Sequence, residues 1–300
     1  MANKLLKKLE KDGESNIRLF VIGGVLLFAL SIGLFINNIY LNPTNVFWGS
    51  FSNDISTIGF TKTTKTNNNG ANLKQVVQIG LGGSSYSHSL TYLTRSGTTV
   101  VTEENNSPTY EYVRYLKISA NPKNAGGKTA NYSKALNIWG YQAIAKGSLG
   151  KTTQTFYQSL FGILPFGNLT SSQRNSLVSF AKSHKVYVVN KSKSETINGQ
   201  KVDSLNVSVN LSGYIEMMQK FGGYINYDGL AGINPSQYSK RPPVKITVSI
   251  NPVSRNLVRI NNGSPSGITD YSGFGIDPVF KAPTKYISLQ QLQTKIQAIK

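Results

Sequence analysis

The sequence predicts an α+β protein with an antiparallel sheet, preceded by one transmembrane helix. Three observations lead to this prediction. Residues 19–36 form a continuous apolar run, residues 59–119 alternate between short strand-like segments and turns, and the middle of the chain carries apolar residues at helical spacing.

The apolar run lies in a stretch without charged side chains between Arg18 and Asp54, and it reads LFVIGGVLLFALSIGLFI. A helix rises about 1.5 Å per residue, so about 20 apolar residues cross a hydrocarbon core of roughly 30 Å. We therefore predict a transmembrane signal anchor at residues 19–41. A cleaved secretory signal is the alternative, but its apolar region would be shorter and followed by small residues.

The charge distribution around this run predicts its orientation. All basic residues before it, namely Lys4, Lys7, Lys8, Lys11 and Arg18, lie within residues 1–18, which the positive-inside bias places in the cytoplasm. We therefore expect a single-pass cell membrane protein whose residues 42–300 form one extracytoplasmic domain. The chain has no cysteine, so neither a disulfide nor a lipid-modified cysteine can hold that domain.

The chain is strongly basic, with a formal net charge of +19. Most of this charge follows the predicted anchor, so the expected counterparts are an anionic membrane or a wall surface. Nucleic acid is not expected as a partner, because the lysines are scattered and no basic helix or aromatic RNA-binding motif occurs. The alternative is that the lysines only solubilise the edges of a sheet.

The first half of the predicted domain is a helix followed by a meander of strands. A helix begins near Pro43, because apolar residues recur at helical spacing: Phe47, Trp48, Phe51, Ile55 and Ile58. Five strand-like segments follow between residues 59 and 119, separated by NNNG, GGSS, RSG and NNSP. These intervals are too short for crossover helices, which favours an antiparallel sheet over a parallel nucleotide-binding one.

The second half changes period twice. Helices are predicted at 132–141, 153–164 and 170–182, the last with Thr170 and Gln173 as a capping box. Strands are predicted at 185–190, 194–197 and 201–211, with a primed turn at Asn198 and Gly199, and a helix follows at 214–221. After a Gly-rich link come strands at 243–250 and 257–260, an irregular sheet segment at 267–274, and a final helix at 288–299.

The order of these elements resembles a known family. The features that carry the resemblance are the anchor, the strand run ending in YVRY at 112–115, the PFGNL break, and the hairpins NGQKVDSLNVSV and VKITVSINPVSRNLVRI. From about residue 47 to 300 the chain resembles the lipoprotein-carrier fold of LolA, LolB, LppX and LprG, with RseB-like relatives. The resemblance implies a strongly curved antiparallel half-barrel, with helices covering a concave apolar face that accepts acyl chains. The Lys-, Asn- and Ser-rich composition on a signal anchor also looks like that of a bacterial envelope protein.

The sequence contains no clear motif for metal binding, nucleotide binding or catalysis. The histidines, His88 and His184, have no further ligand at metal-binding spacing. Glu103 and Glu104 are adjacent, so on a strand they point to opposite faces and cannot converge on one bond. The sequence around Gly82 lacks both a nucleophile elbow and a P-loop. We expect no cofactor, no metal and no catalysis.

Aromatic residues and methionines of the helical region are the candidates for a ligand cavity: Trp139, Phe156, Phe161, Phe166, Met217 and Met218. The alternative is that they are ordinary core residues. The function expected from the sequence is binding of a lipid or another amphipathic envelope molecule. A sensor or protein interaction module on the same scaffold is the alternative.

Overall fold

The computed structural model describes residues 40–68, 70–83, 85–119, 130–144, 155–263 and 267–299. It divides into two units, residues 1–46 and 47–300. In the first unit the described part is the start of helix α1 (Pro43–Asp54), where the Thr44 amide donates to Asn42 Oδ1 at 3.0 Å. The predicted anchor lies outside the described residues up to residue 39. Among the residues described, none of the helices has both the length and the apolar character needed to cross a membrane.

The second unit is built on one twelve-stranded sheet. Its strands are β1 (Gly59–Asn68), β2 (Ala71–Gly80), β3 (Tyr86–Arg95), β4 (Thr98–Asn106), β5 (Tyr110–Ser119), β6 (Gly140–Ala143), β7 (Tyr187–Ile197), β8 (Gln200–Val209), β9 (Val244–Ile250), β10 (Leu257–Asn261), β11 (Ile268–Ser272) and β12 (Ile287–Ser288). The spatial order is β12-β6-β5-β4-β3-β2-β1-β11-β10-β9-β8-β7. The sheet is therefore open, with β12 and β7 at its edges.

Two meanders make up most of this sheet. The N-terminal meander is β1 to β5 and the C-terminal meander is β7 to β11, and antiparallel pairing of β1 with β11 joins them. The pair of β12 with β6 is parallel, and the other strand pairs are antiparallel. The predicted α+β class with an antiparallel sheet is confirmed.

The remaining helices are α2 (Thr155–Leu160), α3 (Ser171–Ser183), α4 (Leu211–Tyr224) and α5 (Leu289–Gln297), with 3₁₀ turns at Ser133–Ala135 and Pro235–Tyr238. One face of the sheet, called the inner face below, meets α1 and the chain that follows α2. The rings of Phe47 and Phe51 lie 5.4 and 5.6 Å from that of Tyr187 on β7. Phe166 stacks on Phe60 of β1 at 4.1 Å. Helices α3 and α4 pack on each other, and a Tyr224–Ser176 hydroxyl pair at 3.1 Å joins them.

The apolar core lies mainly on the inner face of the C-terminal meander. Because directly opposite residues of antiparallel strands share a face, the register groups the inner residues in rows. One such row runs from β8 through β9 to β10 and consists of Leu205, Val248 and Ile260. Their side chains are 0%, 0% and 6% exposed, so this half of the sheet is held by close packing.

Local sequence signals predicted several elements correctly. Thr170 with Gln173, and Ser288 with Gln291, form the two predicted capping boxes of α3 and α5. Asn198 and Gly199 have φ values of 50° and 77°, as a type I′ turn requires. The two strands predicted at 185–190 and 194–197 form one strand, β7, with an irregularity after Val189.

The helix predicted at 132–141 is wrong. The chain forms a 3₁₀ turn at Ser133–Ala135, Asn137 takes φ 59°, and Gly140 begins strand β6 opposite Val113 of β5. A positive φ interrupts a right-handed helix, and pairing with β5 satisfies the backbone groups that follow. The helix predicted at 153–164 extends only over Thr155–Leu160 in the described residues.

Candidate functional site

An apolar cleft lies between α2, α4 and the chain that follows α4. Its volume is about 320 Å³ and its lining residues are Gln158, Phe161, Tyr214, Ile215, Met218, Tyr227, Leu230 and Ile233. Most of these side chains are aromatic or aliphatic. Ile233 is 36% exposed and so lies at the solvent side of the cleft.

Helix α4 supplies one wall because two of its faces are apolar. Met217 and Phe221 are fully buried and form the core-facing side. Tyr214, Ile215 and Met218 lie on the side that lines the cleft. Asn210 caps the start of the helix, because its side chain accepts from the Gly213 amide at 3.4 Å.

The opposite wall is residues 225–233, called the return segment below. The chain reverses after α4, and the Tyr227 amide donates to Gly222 O at 2.8 Å. A Cβ at position 222 would lie 2.6 Å from Tyr227 O, so the close approach requires glycine there. The reversal places the Tyr227 ring 4.9 Å from the rings of both Tyr157 and Phe161.

One side chain fastens the return segment to α4. The Gln219 amide nitrogen donates to Leu230 O at 3.0 Å and to Ile233 O at 2.7 Å. Both acceptors belong to residues that line the cleft. Gln219 therefore sets the distance between the two walls without lining the cleft itself.

The cleft has no strong electrostatic character. Its lining carries no carboxylate and no amine, and the Tyr214 hydroxyl donates to Gly162 O at 2.6 Å. Burial raises the pKa of Tyr214 to about 12, so this phenol is neutral at physiological pH. A ligand would bind in the cleft because its apolar surface is removed from water there.

A second, polar cavity of about 160 Å³ lies beneath α2, on the inner face of the N-terminal meander. Its lining residues are Lys62, Gln75, Val77, Ser87, Ser89, Asn106, Thr155, Gln158 and Ser159. The Lys62 amine donates to Ser159 O at 2.9 Å, and burial lowers the pKa of Lys62 to about 8. Gln158 lines both this cavity and the apolar cleft.

Two carboxylates lie beside this cavity. Ser89 Oγ donates to Glu104 Oε2 at 3.3 Å, and Thr155 Oγ1 donates to Glu111 Oε1 at 2.8 Å. Burial is the main cause that raises the pKa of Glu104 above its ordinary value, and the nearby Glu111 adds to it. The cavity is therefore lined by one amine, and two carboxylates lie behind the hydroxyls of Ser89 and Thr155.

Glu103, His88 and His184 do not line either cavity. Glu103 contacts His88 at 3.0 Å and Arg114 at 2.6 Å, whereas its neighbour Glu104 lies on the opposite face of β4. His184 stacks on Phe180. In the described part of the chain, no three His, Asp or Glu side chains are grouped so that they could hold a metal ion.

Only two of the six candidate cavity residues come together in the cleft, namely Phe161 and Met218. Phe156, Phe166 and Met217 are at most 2% exposed and belong to the core.

Trp139 lies just before β6, the strand that pairs with β5 of the N-terminal meander. Its ring is 6.3 Å from that of Tyr112, and the Arg114 guanidinium lies 4.5 Å above it.

Three residues that line the cleft were not predicted from the sequence, because they fall in the Gly-rich link after α4: Tyr227, Leu230 and Ile233. An apolar residue at every third position there, at 227, 230 and 233, was the available signal.

Comparison with known proteins finds similar solved structures. No family model matches the chain, and no curated protein matches it. The crystal structure of LprF from Mycobacterium bovis is similar to it, with 13% sequence identity and a TM-score of 0.37, over 80% of this chain and 94% of that chain.

Proposed function

We propose that this chain is a noncatalytic binding protein for a lipid or another amphipathic molecule of the cell envelope. The observation that carries the proposal is the apolar cleft of about 320 Å³ between α2, α4 and the return segment. Small-molecule sites are concave, mostly apolar, and roughly 300 to 1,000 Å³ in volume. The cleft is at the lower end of that range, which favours one acyl chain over several.

Apolar burial supplies the driving force for uptake. Each methylene group taken out of water contributes about 0.8 kcal/mol, so burying about six of them contributes roughly 5 kcal/mol. Met218 suits such a ligand because its unbranched side chain adapts to different chain shapes. The bound molecule needs no charged contact in the cleft, since the lining has no carboxylate or amine.

Entry to the cleft is proposed to occur by movement of the return segment. Two hydrogen bonds from Gln219 hold this segment, and each contributes only about 1 kcal/mol net. Breaking them separates Leu230 and Ile233 from α4 while the core side of α4, with Met217 and Phe221, stays packed. The mechanism is passive and consumes no cofactor.

We further propose that residues 19–41 anchor the chain, with residues 1–18 in the cytoplasm and residues 42–300 outside. The basic composition would then face an anionic membrane or wall surface. We also propose that the sheet is curved into the half-barrel that the sequence resemblance implies. Protease added to intact spheroplasts should cleave within residues 42–300, and an uncut chain would contradict the orientation.

Photo-labelling tests the cleft. The full chain is placed in lipid nanodiscs with a diazirine-bearing fatty acid, irradiated, digested and analysed by mass spectrometry. Labels are expected on peptides that contain Tyr214 to Met218 and on residues 227–233. An unlabelled cleft, with labels only near the predicted anchor, would overturn the proposal.

A pair of matched variants controls for nonspecific labelling. Ile233→Asp places a charge at the rim of the cleft, and we expect it to reduce labelling at least fivefold. Ile276→Asp makes the same change at a residue that is 63% exposed and does not line the cleft. Its labelling should equal that of the unmodified chain.

The second candidate function is an interaction module for another envelope protein. Two exposed apolar side chains favour it, Ile276 and Val279, which are 63% and 92% exposed. A photoreactive residue at position 279 would capture a specific envelope protein if this candidate is correct. Capture together with an unlabelled cleft would replace lipid binding by this function.

A further inference from the structure

The polar cavity beneath α2 has no part in the acyl-chain binding proposed for the apolar cleft. Of its nine lining residues, Val77 is the one apolar member. Ser87, Ser89 and Asn106 are at most 3% exposed, so their polar groups have been removed from bulk water. At about 30 Å³ per water molecule, 160 Å³ corresponds to the volume of roughly five waters. The cavity can therefore hold a small polar molecule.

The strand register shows how the floor of the cavity is built. Two rows of directly opposite residues cross the inner face from β1 to β4: Lys62, Val77, Ser89 and Glu104 in one, and Phe60, Ile79, Ser87 and Asn106 in the other. Neighbouring strands are about 4.8 Å apart, so the backbones of Lys62 and Glu104 are roughly 14 Å apart. Lys62 and Glu104 thus stand at opposite ends of one row, with Val77 and the Ser89 hydroxyl between them.

The charged groups in and behind the wall restrict the chemistry of the occupant. The amine of Lys62 lines the cavity and disfavours a cation, whereas the carboxylates of Glu104 and Glu111 lie one hydrogen bond behind Ser89 and Thr155 and disfavour an anion. Serine and threonine hydroxyls and the amides of Gln75, Asn106 and Gln158 can each donate and accept. The ligand groups that suit this wall are neutral and can both donate and accept hydrogen bonds, as hydroxyl groups can.

Lys62 has donor capacity to spare. Its ammonium group carries three protons, and in the described part of the chain its one hydrogen bond goes to Ser159 O. A buried polar group stays costly unless its hydrogen-bonding capacity is used. A ligand hydroxyl beside Lys62 would accept from it.

We propose that the cavity beneath α2 is a binding site for a neutral polyol, such as glycerol or a monosaccharide. Because Gln158 borders both cavities, the polyol is either a free molecule or the head group of the amphiphile whose chain occupies the cleft. The second source rests on the proposed function, whereas the first does not.

Ligand-observed saturation-transfer NMR on the full chain in nanodiscs tests the site, with glycerol and methyl glucoside as probes. Both should receive saturation, and Lys62→Met should weaken binding at least tenfold. Lys65→Met is the matched control, because Lys65 lies three residues along β1 and on the opposite face of the sheet. Absence of transfer, an undiminished signal in Lys62→Met, or competition by inorganic phosphate would overturn the proposal.

Comparing octyl glucoside with methyl glucoside separates the two sources. If the polyol is the head group of an amphiphile, the octyl compound binds at least tenfold more tightly, and Ile233→Asp removes that gain. Equal affinities would overturn the head-group source and leave the free polyol. Fatty-acid labelling of the cleft is an independent readout, so a failure of lipid binding is distinguishable from a failure of the polyol site.

Discussion

The two meanders differ in chemistry on the same inner face of one sheet, most clearly between the C-terminal meander and strands β3 and β4. In the C-terminal meander the inner residues are apolar and buried, as Leu205, Val248 and Ile260 show. In the N-terminal meander the corresponding positions of β3 and β4 hold Ser87, Ser89, Glu104 and Asn106. Apolar packing therefore covers the C-terminal meander and reaches Phe60 and Ile79 of β1 and β2, while β3 and β4 carry buried polar groups whose stability cost suggests a ligand.

The largest expected effect tests this contrast directly. Leu205→Ala should lower the free energy of unfolding by about 2 to 5 kcal/mol, because it leaves a cavity in a fully packed row. Ser89→Ala, at a similarly buried position of the polar half, should cost about 1 kcal/mol, the value of a typical hydrogen bond. Urea denaturation followed by tryptophan fluorescence measures both. Equal losses would mean that the two halves do not differ in packing.

The second prediction concerns Lys62 and pH. Burial lowers its pKa from 10.5 to about 8, a difference equivalent to at most about 3 kcal/mol. Between these two pH values the unfolded chain binds more protons than the folded chain, so this group makes stability increase as pH rises from about 8 to 10.5. Lys62→Met should therefore stabilise the protein at pH 7 and lose that advantage above pH 10.

Denaturation of the unmodified chain, Lys62→Met and Lys65→Met at both pH values checks this. The difference between the unmodified chain and Lys62→Met should shrink with rising pH, while Lys65→Met should run parallel to the unmodified chain. A constant difference for Lys62→Met would show that its amine is not desolvated in the folded protein.

The smallest expected effect lies at the apolar cleft. Gly222→Ala should cost about 1 to 3 kcal/mol and displace the return segment, because its Cβ would lie 2.6 Å from Tyr227 O. Gly223→Ala is the matched control, since a Cβ at 223 meets nothing within 4 Å. Hydrogen exchange of residues 225–233 should accelerate in the first variant alone. Acceleration in both would point to a helix-end effect rather than to the cleft.

Features set by neighbouring residues could be predicted from the sequence. The capping boxes at Thr170 and Ser288 and the Asn198–Gly199 turn each depend on three or four consecutive positions. Strand β6 could not, because its pairing with β5 outweighs the helical spacing of Leu136 and Trp139.

The candidate site was predicted only in part for a similar reason. Phe161 and Met218 lie on helices with a clear apolar pattern, whereas Tyr227 is placed by a chain reversal at Gly222. The polar row from Lys62 to Glu104 depends on the registers of three strand pairs, and no local pattern reveals it.

The position of β1 in the middle of the sheet affects the order of folding. Its partner β2 follows at once in the chain, but its other partner, β11, comes close to the end. During synthesis the edge of β1 that pairs with β11 therefore stays unpaired until the end of the chain is made. Such an exposed edge can pair with another chain and cause aggregation. The strand reads GFTKTTKTNN, and its lysines and threonines discourage intermolecular pairing during that delay. Lys62 and Lys65 thus have a protective task before the native sheet exists.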